Sequence, residues 1–363
     1  MARRSFAEFG NALYTGEKSI DFIGRRKTWY LIAAVMIVLA IVGPLLRGGF
    51  TFGIEFTGGS QFQIHVAEGE RDQSIASAAV EEVLPGSAPR VSLVGQTDIR
   101  VQTEQLEDSQ SRALHSALAE AYGVSDEEVT ASYIGALWGQ DITRQALIAL
   151  GVFILFAALV MALYFRTWKM SLAALIALFH DLIITAGIYG ISGFEITPAA
   201  VIGFLTILGY SLYDTVVVFD KIRENTAPGE LNDRRTFAES VNLAVNQTLV
   251  RSINTSVVAL LPVASILFIG AFVLGAGTLR DIALALFIGI LVGAYSTIFI
   301  AAPVYAQLRE NEPAIKKHEA RVLKARAREG AGDDSSSDGL SDEDAPDADG
   351  RSDGEAEKAS AKA

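Results

Sequence analysis

Apolar residues along this chain arrive in six blocks of about 18 to 25, each long enough to cross a hydrocarbon core of roughly 30 Å as a helix. They cover residues 29–46, 146–165, 170–192, 198–219, 255–274 and 282–305. The first block has no small-residue cleavage site and runs into Pro44, Leu45, Leu46 and Arg47, so it predicts a retained anchor rather than a removed leader. Between the first two blocks, residues 47–143 alternate in a different way. Period-two patterning predicts strands at 61–66, 91–94, 99–103 and 129–134, and period 3.6 predicts helices at 73–84 and 109–122. The order βαββαβ is the ferredoxin-like α+β pattern, a scaffold that hosts many functions and implies no chemistry by itself. The fold class expected is therefore an α-helical polytopic membrane protein with six spans and one such domain between spans one and two.

Lys and Arg beside the spans set the expected orientation, because short loops rich in them stay in the cytoplasm. Arg25, Arg26 and Lys27 precede the first block, Arg166 and Lys169 separate the second and third, a cluster from 221 to 251 follows the fourth, and Lys316, Lys317 and Arg321 follow the sixth. All fall on one side if both termini are cytoplasmic, which leaves 47–143 outside. The domains expected are a cytoplasmic N-terminus (1–28), span one (29–46), the external domain (47–143), a five-helix bundle (144–310) and a cytoplasmic basic segment with an acidic tail (311–363). Within the bundle region, 235–250 reads as an amphipathic helix along the membrane surface, with Phe237, Val241, Val245 and Leu249 on one stripe. After Arg321 the apolar periodicity ends, and a disordered segment is expected.

Composition adds two exclusions. The chain is 50% hydrophobic and contains no cysteine, so disulfides, thiolate metal sites and cysteine nucleophiles are ruled out. Its formal net charge is −12, but eleven carboxylates between 333 and 357, set against Arg351, Lys358 and Lys362, supply eight of those charges. The acidity belongs to the tail and says little about partners of the folded body.

Two carboxylates stand inside apolar blocks, Asp181 and Asp214. An ionisable group there costs roughly 3 kcal/mol or more at the span centre, which makes both functional candidates. At a 1.5 Å rise, Asp214 lies about 13 Å from Arg223 and Asp181 about 18 Å from Lys169, so the two share a depth. Thr206, Tyr210, Tyr213, Asp214 and Val217 read as one polar stripe that could face the bundle interior; the alternative is a structural aspartate bonded to nearby hydroxyls. Arg251 opens the fifth block with Asn254 and Thr255 three and four residues on. It is either a snorkelling anchor or the counter-charge of Asp214. His180 and Asp181 are adjacent, about 100° apart on a helix, and do not make a metal face; no metal is expected. Gly53, Gly58 and Gly59 lack a P-loop lysine and predict a structural turn into the external domain.

Several segments together carry a family resemblance. They are Gly53-Ile54-Glu55-Phe56-Thr57-Gly58-Gly59, Phe179-His180-Asp181, the run from Gly209-Tyr210-Ser211-Leu212-Tyr213-Asp214 through Asp220-Lys221-Ile222-Arg223-Glu224-Asn225, and Gln247-Thr248-Leu249-Val250-Arg251-Ser252-Ile253-Asn254-Thr255-Ser256. On these, over residues 20 to 310, the chain resembles the SecF family of protein-export membrane proteins, within the RND superfamily. The resemblance implies a bacterial cytoplasmic-membrane subunit that couples proton flow to late-stage export. It implies SecD as heterodimer partner, docking near the SecYEG translocon, unfolded preproteins as substrate, lipid as surroundings and no nucleic acid. Protons are the coupling ion, no other cofactor is implied, and Asp214 with Arg251, joined by Asp181, is the implied proton relay. Two positions depart from the family pattern: Glu55 where Asp is frequent, and Tyr213 where Asn is frequent. A small-molecule exporter usually carries two repeats in one chain and this chain carries one half. An intramembrane aspartyl protease would need a glycine-flanked second aspartate that Asp181 lacks. A non-conducting scaffold for SecD stays open.

Overall fold

A computed structural model describes residues 6–66, 72–94, 97–227, 234–270 and 277–334. Among these described residues six helices are long and apolar enough to cross a membrane: Arg26–Leu46, Ala136–Phe165, Trp168–Ser192, Pro198–Asn225, Phe237–Gly270 and Thr278–Glu310. A short helix α1 (Phe6–Thr15) precedes the first of them, α2 (Arg26–Leu46). After a single turn α3 (Ile54–Thr57), the α+β domain follows as β1 (Gly59–His65), α4 (Gln73–Val83), β2 (Arg90–Val94), β3 (Asp98–Thr103), α5 (Asp108–Tyr122) and β4 (Val129–Ile134). The remaining helices are α6 (Ala136–Phe165), α7 (Trp168–Ser192), α8 (Pro198–Asn225), α9 (Phe237–Ser265), α10 (Gly277–Ser296), α11 (Ala302–Glu310) and α12 (Pro313–Asp334). Five-residue π turns, Ile266–Gly270 and Thr297–Ala301, extend α9 and join α10 to α11.

The domain is the ferredoxin-like arrangement that the alternation predicts, a fully antiparallel sheet of order β2-β3-β1-β4. One face of the sheet is apolar because Phe62 and Ile64 on β1 alternate with polar neighbours, as Ile99 and Val101 do on β3. These four bury against Ala76 and Val80 of α4 and Leu114 and Leu118 of α5, which lie four residues apart on their helices. Tyr122 locks the layer: its hydroxyl donates to Asp72 O at 2.6 Å and accepts from Ala76 N at 3.0 Å.

In the bundle α7, α8 and α10 are the most enclosed, whereas α2, α6 and the apolar second half of α9 are covered on few of their positions. Small residues set the approach of the helices. A Cβ on Gly187 of α7 would lie 2.2 Å from Ala40 Cβ of α2, and one on Gly289 of α10 would lie 2.3 Å from Ile207 Cγ1 of α8. Such contacts are how membrane helices gain packing without a hydrophobic driving force.

Three expectations are corrected. Helix α6 begins at Ala136, ten residues ahead of the apolar block at 146, because β4 passes into it across Gly135 alone. The stripe at 235–250 is not a separate surface helix. It is the first half of α9, and Phe237, Val241, Val245 and Leu249 bury in one core with Leu13, Phe22, Tyr305 and Ile315. The chain beyond Arg321 is helical as far as Asp334, for α12 presents Ile315, His318 and Val322 at spacings of three and four, all buried. His318 Nε2 lies 2.9 Å from Arg235 O, and Arg326 pairs with Glu239 at 2.6 Å. Most of the acidic tail, 335–363, lies outside the described residues, as do 271–276.

Candidate functional site

Helix α8 is amphipathic in an inverted sense: its buried face carries the polar groups. Ser211, Asp214 and Thr215 are buried together with Ile207, Val218 and Ile222, all within reach of one line down the helix. Asp214, 5% exposed, accepts a hydrogen bond from Ser252 Oγ of α9 at 2.8 Å on Oδ1, while its Oδ2 is buried with no partner. One turn earlier, Ser211 donates to Asp181 Oδ2 of α7 at 2.5 Å. The other oxygen of Asp181 lies 3.3 Å from His180 Nδ1, and His180 Nε2 is buried without a partner. Thr215 Oγ1 meets Thr297 Oγ1 at 3.0 Å, which brings the second π turn into the same layer. The two carboxylates thus sit on neighbouring helices, Asp181 of α7 bonded to Ser211 of α8 one turn from Asp214, and Asp214 bonded to Ser252 of α9, with α10 behind them, where Gly293 leaves room beside Asp181.

Part of the predicted stripe turns the other way. Thr206 is exposed and donates to Ile202 O at 2.7 Å, Tyr213 is exposed, and Tyr210 lies between, its hydroxyl buried beside Ser256. Positions 206, 210, 213 and 217 follow one helical line, but Asp214 is a further 100° around, and that step separates the outside from the core. On α9 the same offset operates. Arg251 and Asn254 are exposed and Thr255 donates to Arg251 O at 2.8 Å, whereas Ser252 and Ser256 face inward. Arg251 makes no ion pair with Asp214; the two interact through space. Ser211, Ser252 and Ser256 were missed from sequence, where small hydroxyl residues in helices are too common to signal, although their spacing from Asp214 and from each other was visible. Among the described residues no group of three His, Asp or Glu side chains could hold a metal.

The glycine segment is a joint. Gly58 and Gly59 have φ of 75° and 140°, and a Cβ at either would lie 2.9 Å from Ala136 Cα or 2.5 Å from Thr103 O. Gly53 has an ordinary φ and donates its amide to Ile196 O at 3.0 Å in the α7–α8 loop. Beside it Glu55 Oε2 is buried without a partner. Burial pushes the Glu55 carboxyl above the usual range, and the nearby Glu195 and Asp281 add to the rise while Arg100 opposes it.

Comparison with known proteins decides the family. The model of the protein export membrane protein SecD/SecF C-terminal region matches residues 114–311, and that of the SecD/SecF GG motif matches 45–69, across the glycine joint. The chain belongs to the SecD/SecF family. It is 46% identical over 343 residues to the protein translocase subunit SecF of Streptomyces coelicolor, covering 94% of this chain and 90% of that one. The SecF of Mycobacterium tuberculosis is 42% identical, with coverages of 88% and 73%. The crystal structure of SecDF from Thermus thermophilus, described as translocon-associated, superposes with a TM-score of 0.69 at 30% identity. It covers 81% of this chain and 39% of that longer one. As a SecF-type translocase subunit the chain is a multi-pass membrane transport component rather than an enzyme.

Proposed function

We propose that this SecF-type subunit couples proton flow to the late stage of preprotein export, with Asp214 as its proton acceptor. The observation that carries the reading is the Asp214 carboxylate: buried at mid-span, held by one serine and left with one oxygen unsatisfied. Protonation removes the charge that a buried, half-satisfied carboxylate otherwise has to carry away from water. Arg251 supplies a compensating positive charge nearby without closing on it, and Asp181 with Ser211 continues the polar layer into α7. A proton crossing the potential delivers about 2.3 kcal/mol per 100 mV, comparable to the few kcal/mol that separate two packings of a helix bundle.

The clusters Arg25 to Lys27, Arg166 with Lys169, Lys221 with Arg223, and Lys316 with Lys317 adjoin the span ends on the side opposite the α+β domain. That favours cytoplasmic termini in a bacterial cytoplasmic membrane, with the domain outside, where it would engage emerging preprotein near the SecYEG translocon. SecD is the expected partner, since some relatives bear the fused name SecDF and this chain spans 37% of one of them. The exposed Arg251 and Asn254 support the same partnership: a charged group facing lipid costs roughly 3 kcal/mol, so a second membrane subunit would cover that face of α9.

The test is completion of export in vesicles containing this chain and SecD, with and without a proton gradient, for wild type and Asp214→Asn. Loss of the gradient-dependent component at normal assembly is the expected outcome. Unchanged export would make the chain a non-conducting scaffold and move the proton site to SecD.

A further inference from the structure

The α+β domain is fastened to the bundle in an unusual way. Its apolar face is occupied by its own helices, so the open, polar face of the sheet is what meets the membrane part. Glu195, in the loop between α7 and α8, takes Arg100 Nη1 of β3 on Oε2 at 3.2 Å and Gln102 Nε2 on Oε1 at 2.7 Å. Gln102 also donates to Gln61 Oε1 of β1 at 3.1 Å, so two side chains of β3 converge on one carboxylate of the bundle and one of them is tied to β1. The Arg100 and Glu195 side chains are each only 13% exposed, so the pair is largely withdrawn from water. Ion pairs at that depth are sensitive: breaking one by removing a partner leaves an uncompensated charge.

The surroundings of this contact are not tightly closed. Arg100 Nε and Glu55 Oε2 are both buried without a partner next to it. A cleft of about 390 Å³ opens alongside, lined among others by Phe52, Arg90, Gln102 and Ala136. An all-polar contact with unsatisfied groups at its margin and empty space beside it has little apolar area to lose on separation, so it can open at modest cost.

Its position gives that opening a cause. Glu195 stands three residues beyond Ser192, where α7 ends, and three before Pro198, where α8 begins. The same two helices carry Asp181 and Asp214 and are joined by the Ser211 hydroxyl. A shift of either helix along or about its axis moves Glu195 with it. The chain entering the domain is tied to the same loop, through Ile196 N to Thr51 O at 2.7 Å and Gly53 N to Ile196 O at 3.0 Å. The loop therefore grips the domain twice, once by backbone at its root and once by the Glu195 carboxylate on its sheet.

We propose that Glu195, with Arg100 and Gln102, is a releasable latch through which movement of α7 and α8 repositions the external domain during export. Glu195 is thus a coupling residue that touches neither the relay carboxylates nor the exported chain. The proposal rests on the proton-relay reading for the origin of the helix movement, and its test separates the two.

Because the chain has no cysteine, a single pair introduced at Gln102→Cys and Glu195→Cys can be bridged unambiguously by a short reducible bis-thiosulfonate in vesicles otherwise free of reactive thiols. The reduced pair, which lacks both latch groups, is expected to export below wild type; bridging is expected to lower gradient-dependent export at least tenfold further, and reductant to return it to the rate of the reduced pair. A fully bridged chain that exports at its reduced rate overturns the latch. A second variant, Glu195→Gln, keeps the acceptor for Gln102 but drops the charge facing Arg100. It is expected to lower gradient-dependent export threefold or more with the gradient-independent rate and assembly unchanged, and wild-type gradient dependence in it would likewise overturn the proposal. If the bridge blocks export while Asp214→Asn does not, the latch stands and the relay reading falls.

Discussion

At the scale of single residues, what distinguishes Asp214 from an ordinary buried carboxylate is a deficit of one hydrogen bond. Ser252 satisfies one oxygen and nothing satisfies the other. Ser252→Ala removes the single donor, and a hydrogen bond to a charged group is worth about 1.5–3 kcal/mol. Gradient-dependent export in vesicles should fall by about tenfold or more in this variant, while Asn254→Ala, on the exposed side of the same turn, should leave it within about twofold. Both buried aspartates, Asp181 and Asp214, were legible in the sequence, since any carboxylate within an apolar run is conspicuous. Their serine partners were not, and Thr206 and Tyr213 were assigned to the wrong side, because a stripe drawn along hydroxyl-bearing positions misses the core by one residue. Burial is decided by which line of the helix holds Gly203, Ile207, Ser211 and Val218, small or branched residues that let α10 approach.

Glu55 offers a titration at the joint. Its carboxyl is raised, chiefly by burial, so the native joint binds a proton more tightly than the opened chain does. Stability is then lost as pH climbs from the ordinary glutamate value of about 4.3 through the raised native one, where the buried group must ionise. Glu55→Gln should match wild type below that window and hold the joint more firmly above it. Hydrogen exchange at the Gly53 and Gly58 amides, compared between the two proteins at each pH, reads the difference. Equal protection at neutral pH would show that Glu55 carries no such penalty.

Among elements, α9 departs most from what periodicity foretold. Its apolar stripe at Phe237, Val241 and Val245 has the pattern of a surface helix, and only the contact partners reveal that it is covered. Some of those partners come from the N-terminal segment, which is held by two asparagines beside the same stripe, Asn242 half-buried and Asn246 buried. Asn242 Oδ1 accepts from Phe22 N at 2.8 Å, and Asn246 both accepts from Ile20 N at 2.8 Å and donates to Ile20 O at 2.9 Å. No sequence rule pairs positions 220 or more residues apart, which is why this clamp was invisible beforehand. Asn246→Ala should cost about 1–3 kcal/mol locally by stranding the Ile20 amide. Limited proteolysis within residues 16–25 checks it: faster cleavage than wild type is expected, with the rest of the chain intact.

For the whole molecule, the division between enclosed and open helices defines a side. Helices α7, α8 and α10 form the centre, and α9 turns Ile253, Val257, Val258 and Leu261 outward beside Arg251 and Asn254. If a second membrane subunit covers that side, a single photo-reactive residue placed at Val258 should capture SecD, whereas one at Leu155, on the exposed flank of α6, should not. Equal capture at both would argue against a defined face. The overall plan of six spans and a βαββαβ domain was readable because length and alternation are strong signals. The direct passage of β4 into α6 was less so, since polar residues such as Asp141 and Arg144 carry the helix past the apolar block.

That passage has a mechanical consequence. The domain hangs from the membrane by β1 and β4, which lie side by side in the sheet, with Gly59 opposite Ile134, so both attachments leave from the same end. A load pulling the domain outward draws these two strands together and does not peel them apart. It falls instead on the β1–β3 ladder, six registered pairs from Ser60–Thr103 to His65–Asp98, along the strand direction. Bonds that run across the strands then resist in parallel and must fail together, rather than opening one at a time. A fold mounted in this way can carry tension between the membrane and any load attached to the domain without unravelling from its own anchors.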